Sequence, residues 1–285
     1  MEHIERGYFK LAWGDIKNSP GWFSKVLLLA LIKCIPIFGT IVEKGYMFGW
    51  ARDIAWDVKS PMPQHIFGNE DGRLYSRGFF VIVLEFVLLL IPSIFLNFLN
   101  FAPQIYMETL DIYSLNFGFF FGGFVTFWIF SLALYLFVYA VSAVGAMRIS
   151  IYGTLSSGFC LSRVWAMIRK DFKGLLRIAG MYIAIQFAIS IIIGLLIAII
   201  TFVVIFMAIG FESMNSYPAN LSSLPFAITF GFALCIVILG ITYAIVVCSI
   251  IRDLMVSRSL GYWTRQFDVA SWGSQKDPMP FEYQG

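Results

Sequence analysis

One carboxylate stands inside an otherwise apolar stretch of the sequence. Glu85 lies in VIVLEFVLLL, near the centre of the run 78–100. A charged side chain at a helix centre in a membrane costs on the order of 2.5–3.5 kcal/mol on insertion scales, so Glu85 should face protein and find a partner or be protonated. Two interpretations stay open: a proton or cation relay (or an anchor for a basic ligand group), and a structural carboxyl bonded to Lys33, Tyr135, Tyr139 or Ser142.

Two more polar side chains interrupt apolar runs. Lys33 lies in the first run, 26–42, and is a plausible partner of Glu85 because a re-entrant helix would bring it to modest depth. Gln186 shares one face of a later run with Ser190 and Gly194, a pattern typical of close helix packing. Glu85, Lys33 and Gln186 are therefore the intramembrane polar candidates. The GxxxG pairs Gly45/Gly49 and Gly118/Gly122 favour packing in the same way.

A second group of candidates is basic and interleaved with aromatic side chains. Trp165 and Phe172 lie among five cations, Arg163, Arg169, Lys170, Lys173 and Arg177. Such a segment indicates the cytoplasmic side of a membrane and binding to anionic lipid headgroups. A site for one specific phospholipid or a protein partner is the sharper alternative.

Motifs for catalysis, metal and nucleic acid are missing from the sequence. His3 and His65 have no metal spacing, and the cysteines, at 34, 160, 235 and 248, form no CxxC pair. No phosphate-binding glycine loop, HExxH or nucleophile elbow occurs. We expect no catalytic residues, no metal, no cofactor, no enzyme activity and no nucleic acid partner.

Composition places the chain in a membrane. Hydrophobic residues make up 59% of its 285 positions and charged residues 13%, against about 25% charged in soluble domains. Four runs, 78–100, 117–147, 176–210 and 225–251, are long enough to cross a hydrocarbon core that needs about 20 residues. The predicted fold class is an all-α, polytopic membrane helical bundle.

Charge placement predicts the topology. All 20 Lys and Arg residues lie in 1–77, 148–177 and 252–276, and the loops 101–116 and 211–224 have none. The positive-inside rule puts the three basic regions in the cytoplasm. If 24–42 crossed the membrane, basic residues would fall on both sides. We therefore predict that 24–58 is a re-entrant hairpin turning at Pro36–Gly39, with both termini on the cytoplasmic side of the cell membrane.

The predicted organisation is a single membrane domain, 1–285. Its parts are an amphipathic interfacial helix (1–22), the re-entrant hairpin (24–58), a first helical hairpin (78–147), an amphipathic cytoplasmic connection (148–175), a second helical hairpin (176–251) and a cytoplasmic tail (252–285). Short echoes between the halves, such as Arg52-Asp53 with Arg252-Asp253 and two Pro-Met-Pro segments, favour a parallel pseudo-repeat.

The hairpin residues also carry a family resemblance. The Ile-Pro-Ile-Phe-Gly break, Gly45-Tyr46 and Arg52 resemble an uncharacterised family of prokaryotic integral membrane proteins. That family is in turn distantly similar to membrane domains fused to glycerophosphodiester phosphodiesterases. The linker after the hairpin lacks the tryptophans of the family pattern. The resemblance implies a cytoplasmic-membrane protein of four to six spans and no catalytic residues.

Three classes of function follow, in order of support. The first is a non-enzymatic membrane scaffold or accessory subunit that works with lipids or with an envelope or transport complex, with a membrane-protein partner or a homo-oligomer as further possibilities. The second is a small transporter or channel with a midplane site around Glu85. An intramembrane enzyme acting on lipid is the least supported, because no acid, base and nucleophile cluster together.

Overall fold

The computed structural model describes residues 7–68, 71–109, 117–215 and 223–284, and this part of the chain contains helices and no strands. The α-helices are α1 (Tyr8–Lys17), α2 (Trp22–Lys33), α3 (Phe38–Ala55), α4 (Leu74–Thr109), α5 (Phe117–Tyr152), α6 (Leu155–Gly158), α7 (Leu161–Lys170), α8 (Phe172–Asn215) and α9 (Ser223–Arg265). Two 3₁₀ turns, Val269–Ser271 and Pro280–Gln284, follow.

Four of these helices are long and apolar enough to cross a membrane. The candidate spans are Leu74–Asn97 in α4, Val125–Tyr152 in α5, Phe172–Phe206 in α8 and Gly231–Arg265 in α9. The predicted all-α helical membrane bundle is therefore confirmed, and the chain is a multi-pass membrane protein. The helices α4, α8 and α9 extend past the predicted runs at both ends, and α5 extends past the C-terminal end of its run.

The helices α2 and α3 form a short hairpin. The turn between them includes Ile37, which adopts a positive φ of 62°. With 12 residues, α2 is about 18 Å long, too short for a hydrocarbon core of about 30 Å. The end of the hairpin exposes apolar side chains, among them Leu31, Ile35 and Ile37. This exposure agrees with insertion of the tip into lipid, and the re-entrant assignment stays a prediction.

The helix α3 lies at the centre of the contacts. Its Gly45 lies against the backbone of Leu74, and Gly78 of α4 lies against the carbonyl of Ile41. On another side, the Ser150 hydroxyl of α5 donates to the Phe48 carbonyl at 2.6 Å. Gly261 of α9 also lies against the carbonyl of Ala51. The helix α3 therefore packs on α4, α5 and α9, and its polar side chains meet those helices.

The helix α9 continues beyond the predicted end of its span at 251. Its Arg258 side chain is 1% exposed, and its Nε donates to Asp15 of α1 at 2.6 Å. The same guanidinium lies over the Trp50 ring, 4.3 Å from its centroid, and Nη1 donates to the Trp50 carbonyl at 2.8 Å. Because this turn of α9 is packed on α1 and α3, the segment predicted as a tail begins as buried helix.

A second buried arginine ties the C-terminal segment to the bundle. Arg148, fully buried near the end of α5, donates from Nε to the Ser157 carbonyl at 3.1 Å and from Nη2 to the Gln275 carbonyl at 2.8 Å. The ring of Trp272 lies 5.7 Å from its guanidinium. We call the end of the bundle that carries Arg148, Arg258 and these contacts the basic end.

The helix α8 lies at the periphery. None of its apolar window is buried inside the protein, and α9 is its main neighbour. The order of elements, a short helix before two helices and a Pro-Met-Pro segment, is the same in α1–α3 and α7–α9. The order agrees with the pseudo-repeat, which stays a prediction.

Candidate functional site

Six ionisable side chains from four helices meet where the hairpin packs on α4 and α9. Lys33 ends α2, Glu43 and Lys44 lie on α3, Glu85 on α4, and Arg252 and Asp253 on α9. We call this set the ion-pair cluster. Its three cations balance its three carboxylates, so the cluster carries no formal net charge.

Glu85 pairs with a residue that the sequence analysis did not propose. The Lys44 Nζ lies 2.6 Å from Glu85 Oε1, and the two side chains are 24% and 28% exposed. Of the four proposed partners of Glu85, Lys33 is therefore wrong, because it pairs with Glu43. Tyr139 and Ser142, both proposed as partners, line the same cavity as Glu85, while Tyr135 is 40% exposed. The cause is geometric: α3 crosses α4, and this crossing brings Lys44 to Glu85.

Lys33 joins the hairpin to α9 instead. Its Nζ lies 2.7 Å from Glu43 Oε1 and 3.5 Å from Asp253 Oδ2. The side chain of Glu43 is 1% exposed, and its second oxygen, Oε2, is buried without a hydrogen-bond partner in the described chain. A buried acceptor that lacks a donor costs about 1–3 kcal/mol, so the Lys33 contact is what makes this carboxylate tolerable.

Gln186, the third intramembrane candidate, belongs to the same region. Its Oε1 accepts from Arg252 Nη1, and its Nε2 donates to Ser190 Oγ at 3.3 Å. Arg252 Nε donates to Asp253 at 2.8 Å, and the guanidinium lies 4.9 Å from the centroid of the Tyr182 ring. The contacts run from α2 through α9 to α8. All three intramembrane candidates therefore lie in or beside the ion-pair cluster.

A small polar cavity lies within the cluster. Its volume is about 40 Å³, and Lys44, Glu85, Tyr139, Ser142 and Asp253 are among its lining residues. One water takes about 30 Å³ in the liquid, so the cavity has room for roughly one molecule. Asp253 lies about 18 Å from the C-terminal end of α9 and about 45 Å from its start. The cavity is thus nearer to the C-terminal end of α9 than to its start.

A much larger and wholly different cavity lies on the side of the bundle. We call it the lateral groove. Its volume is about 470 Å³, and its walls come from α4, α5 and α7. The lining side chains are apolar or aromatic: Leu88, Pro92, Phe95, Phe130, Leu134, Phe137, Val138, Val141, Leu161, Val164 and Trp165. Trp165 meets Phe137 edge to face at 6.0 Å, which fixes α7 across one end of the groove.

The five predicted headgroup residues fall into two groups. Arg163 is tied to the C-terminal segment, with Nη1 2.9 Å from Glu282, and Lys170 Nζ lies 5.7 Å from the Phe281 ring centroid. The side chains of the other three are exposed and have no carboxylate within ion-pair distance in the described ranges: Arg169, Lys173 and Arg177. These three are the cations free to meet a ligand.

A third charged group holds the linker after the hairpin. Asp71 accepts from Arg77 Nη2 and lies 2.5 Å from Arg52 Nη1, and the backbone N–H of Arg73 donates to it at 3.1 Å. Burial by itself raises the pKa of Asp71, but the two guanidiniums and this hydrogen bond outweigh it, so the pKa is lowered. The linker is therefore fastened to α3 and α4 by charge.

Sequence reasoning missed four members of the ion-pair cluster: Glu43, Lys44, Arg252 and Asp253. Each lies in a segment that reads as polar, so none is conspicuous in the way that Glu85 is. Charge balance is the signal that could have found them, because a buried carboxylate needs a cation at a similar depth in the bundle. Among the described residues, no group of three or more His, Cys, Asp or Glu side chains is suited to a metal ion.

Comparison with known proteins gives a family and no named relative. No curated protein matches the chain, and no solved structure does. The family described as "Protein of unknown function (DUF4013)" matches residues 28–198, more than half of the chain. The match supports the predicted uncharacterised family and gives no support to the glycerophosphodiester phosphodiesterase likeness. This chain belongs to the DUF4013 family.

Proposed function

We propose that this protein is a non-enzymatic scaffold or accessory subunit of the cell membrane that binds anionic lipid at the α7–α8 junction. The observation that carries the proposal is the surface of this junction. Arg169, Lys173 and Arg177 are exposed there without acidic partners in the described chain, and the side chains of Trp165 and Phe172 are 46% and 56% exposed beside them.

The position of this surface fits a membrane interface. It lies where the amphipathic helix α7 meets the apolar helix α8, and aromatic rings favour the headgroup level. Basic side chains close to an anionic leaflet each contribute about 1 kcal/mol to attraction. With three free cations, the junction is suited to hold anionic headgroups against the bundle.

Lipid retention by the full-length chain tests the proposal. The protein is purified in detergent micelles that contain phosphatidylglycerol and phosphatidylcholine in equal amounts, and bound lipid is counted by native mass spectrometry. We expect a preference for phosphatidylglycerol that decreases with salt. A double variant, Lys173→Gln with Arg177→Gln, should lose most of this preference.

The matched control removes the same charge elsewhere. Lys17 and Lys59 are exposed lysines outside α7 and α8, so Lys17→Gln with Lys59→Gln should keep the preference. Equal loss in both double variants would contradict the proposed site and leave only a general charge effect. Co-purification of a stoichiometric protein partner from native membranes would support the accessory role.

A small transporter or channel is the second candidate. The supporting observation is the polar cavity between Lys44, Glu85 and Asp253. Against it, the cavity has room for only about one water, and the charges that line it are paired. Ion and proton flux into proteoliposomes tests this function. If the wild type shows no flux above empty vesicles, or if folded Glu85→Gln conducts equally well, the role of Glu85 in transport is refuted.

A further inference from the structure

The lateral groove has the depth of one membrane leaflet. On α5 its lining runs from Phe130 to Val141, a distance of about 16 Å along the helix. A hydrocarbon core is about 30 Å thick, so the groove spans about half of it. Its volume, about 470 Å³, lies in the range of sites that enclose a small molecule.

The groove opens sideways, away from the bundle. Phe95, Phe130 and Phe137 line it and are still 47–50% exposed. Within a membrane, apolar surface gains nothing by leaving lipid for another apolar surface. An apolar occupant therefore needs a second, polar contact to be held in preference to bulk lipid.

That polar contact is available at the α7 end of the groove. Leu161 and Trp165 line the groove at a spacing of four residues, and Arg169 follows at the same spacing, on the same face of α7. Side chains on a helix lean toward its N-terminus, so Arg169 leans toward Trp165 and the groove. Its side chain is exposed and has no acidic partner in the described chain.

We propose that the lateral groove seats one acyl chain of an anionic phospholipid and that Arg169 binds the phosphate of the same lipid. The inference rests on the proposed function and goes beyond it, because it assigns one lipid to one site. The apolar walls fit a hydrocarbon chain, the depth fits a single leaflet, and the guanidinium is a planar donor set matched to phosphate oxygens.

Groove-filling and charge-removing variants of the full-length chain test the site. Leu134→Trp fills the groove with a larger side chain, and Arg169→Gln removes the phosphate contact. Native mass spectrometry counts retained phosphatidylglycerol as above. We expect Arg169→Gln to lower retention about fivefold, the contribution of one basic contact at an anionic surface, and Leu134→Trp to lower retention by displacing the acyl chain. Leu132→Trp is the matched control, because Leu132 lies outside the groove and is 60% exposed.

Two further ligands distinguish binding of a lipid from binding of a free phosphate. Lyso-phosphatidylglycerol, which has one acyl chain, should be retained as well as phosphatidylglycerol, and glycerol 3-phosphate should not be retained. Retention of glycerol 3-phosphate equal to that of the lyso-lipid would overturn the acyl-chain assignment. Val138→Phe replaces Leu134→Trp if that variant does not give a monodisperse protein.

The outcomes also distinguish this inference from the proposed function. If Leu134→Trp retains phosphatidylglycerol like the wild type while the Lys173 and Arg177 double variant loses it, the groove assignment fails and the headgroup surface stands. If neither the groove variants nor the charge variants change retention, both fail. Loss in Leu134→Trp and Arg169→Gln, with no loss in Leu132→Trp, supports the assigned site.

Discussion

Lys44 and Glu85 form an ion pair that holds the hairpin to the first long helix. Each side chain is about a quarter exposed, and the oxygen–nitrogen distance is 2.6 Å. Removing one member leaves the other without its ion-pair partner inside the bundle, which is the costly case for a buried pair. Replacing both by apolar side chains removes that penalty.

A double-mutant cycle measures this coupling. We expect Lys44→Met and Glu85→Leu each to lower the free energy of unfolding by about 2 kcal/mol. The double variant should lose less than the sum of the two, with a coupling of about 1 kcal/mol or more. Thermal unfolding in detergent micelles provides the comparison. Additive losses would show that the pair contributes nothing beyond its separate side chains.

The lowered pKa of Asp71 predicts that the protein loses stability as the pH falls. Its pKa is lowered in the folded chain, where Arg77, Arg52 and a backbone N–H outweigh burial. A lowered folded pKa stabilises the protein above the unfolded value of about 3.9, and this contribution is lost as pH falls through the folded pKa. Melting temperatures from about pH 6 down to pH 3 should fall more steeply for the wild type than for Asp71→Asn. Parallel curves would contradict the assignment.

At the scale of residues, the sequence predicts one member of each of two ion pairs in the cluster and does not predict its partner. Glu85 and Lys33 are conspicuous because they interrupt apolar runs, and both lie in the ion-pair cluster. Their partners are not readable, because Lys44 reaches Glu85 only through the crossing of α3 and α4. Lys33 meets Glu43 across the turn, and Asp253 lies 220 positions away.

At the scale of elements, the α3–α4 crossing depends on two glycines. Gly45 lies against the Leu74 carbonyl, and a methyl group on Gly78 would overlap the Ile41 carbonyl. Close backbone approach of this kind is what small residues allow between helices in membranes. The crossing brings Lys44 to Glu85, so the glycine contact and the ion pair belong to one arrangement.

Alanine at Gly78 should therefore separate the two helices. We expect Gly78→Ala to destabilise the protein by about 1–3 kcal/mol, as overpacking does. Gly180→Ala on α8 is the control, since open space surrounds Gly180, and alanine there should be neutral or slightly stabilising. Thermal unfolding of both variants measures the difference in stability between them. Equal stability of the two variants would show that the backbones can move apart at no cost.

Hydropathy predicts the existence of the long helices much better than their ends. The four runs reappear as the four candidate spans. Their ends differ because packing, not apolar length, decides where a helix stops. The segment after 251 remains helical since Arg258 and Trp263 are buried by other elements, and such long-range burial leaves no periodic signal in the apolar run itself.

At the scale of the whole molecule, the basic residues and the contacts between distant parts of the chain concentrate at the same end of the bundle. Two buried arginines, Arg148 and Arg258, draw the N-terminal helix, the hairpin and the C-terminal segment together at the basic end. All 20 basic residues of the sequence lie in 1–77, 148–177 and 252–276, and described parts of these three regions meet near this end. The positive-inside rule therefore predicts that this end faces the cytoplasm.

Cysteine labelling of intact cells tests this orientation together with the hairpin. The native cysteines at 34, 160, 235 and 248 are replaced by serine, and single cysteines are introduced at Lys17, Lys59 and Ser216. A membrane-impermeant maleimide should label Ser216→Cys on intact cells. Lys17→Cys and Lys59→Cys should react only after permeabilisation, because a re-entrant hairpin returns the chain to the side on which it entered. Labelling of Lys17→Cys and Lys59→Cys from opposite sides would show that residues 24–58 cross the membrane. Labelling of both from outside would reverse the orientation while preserving the hairpin.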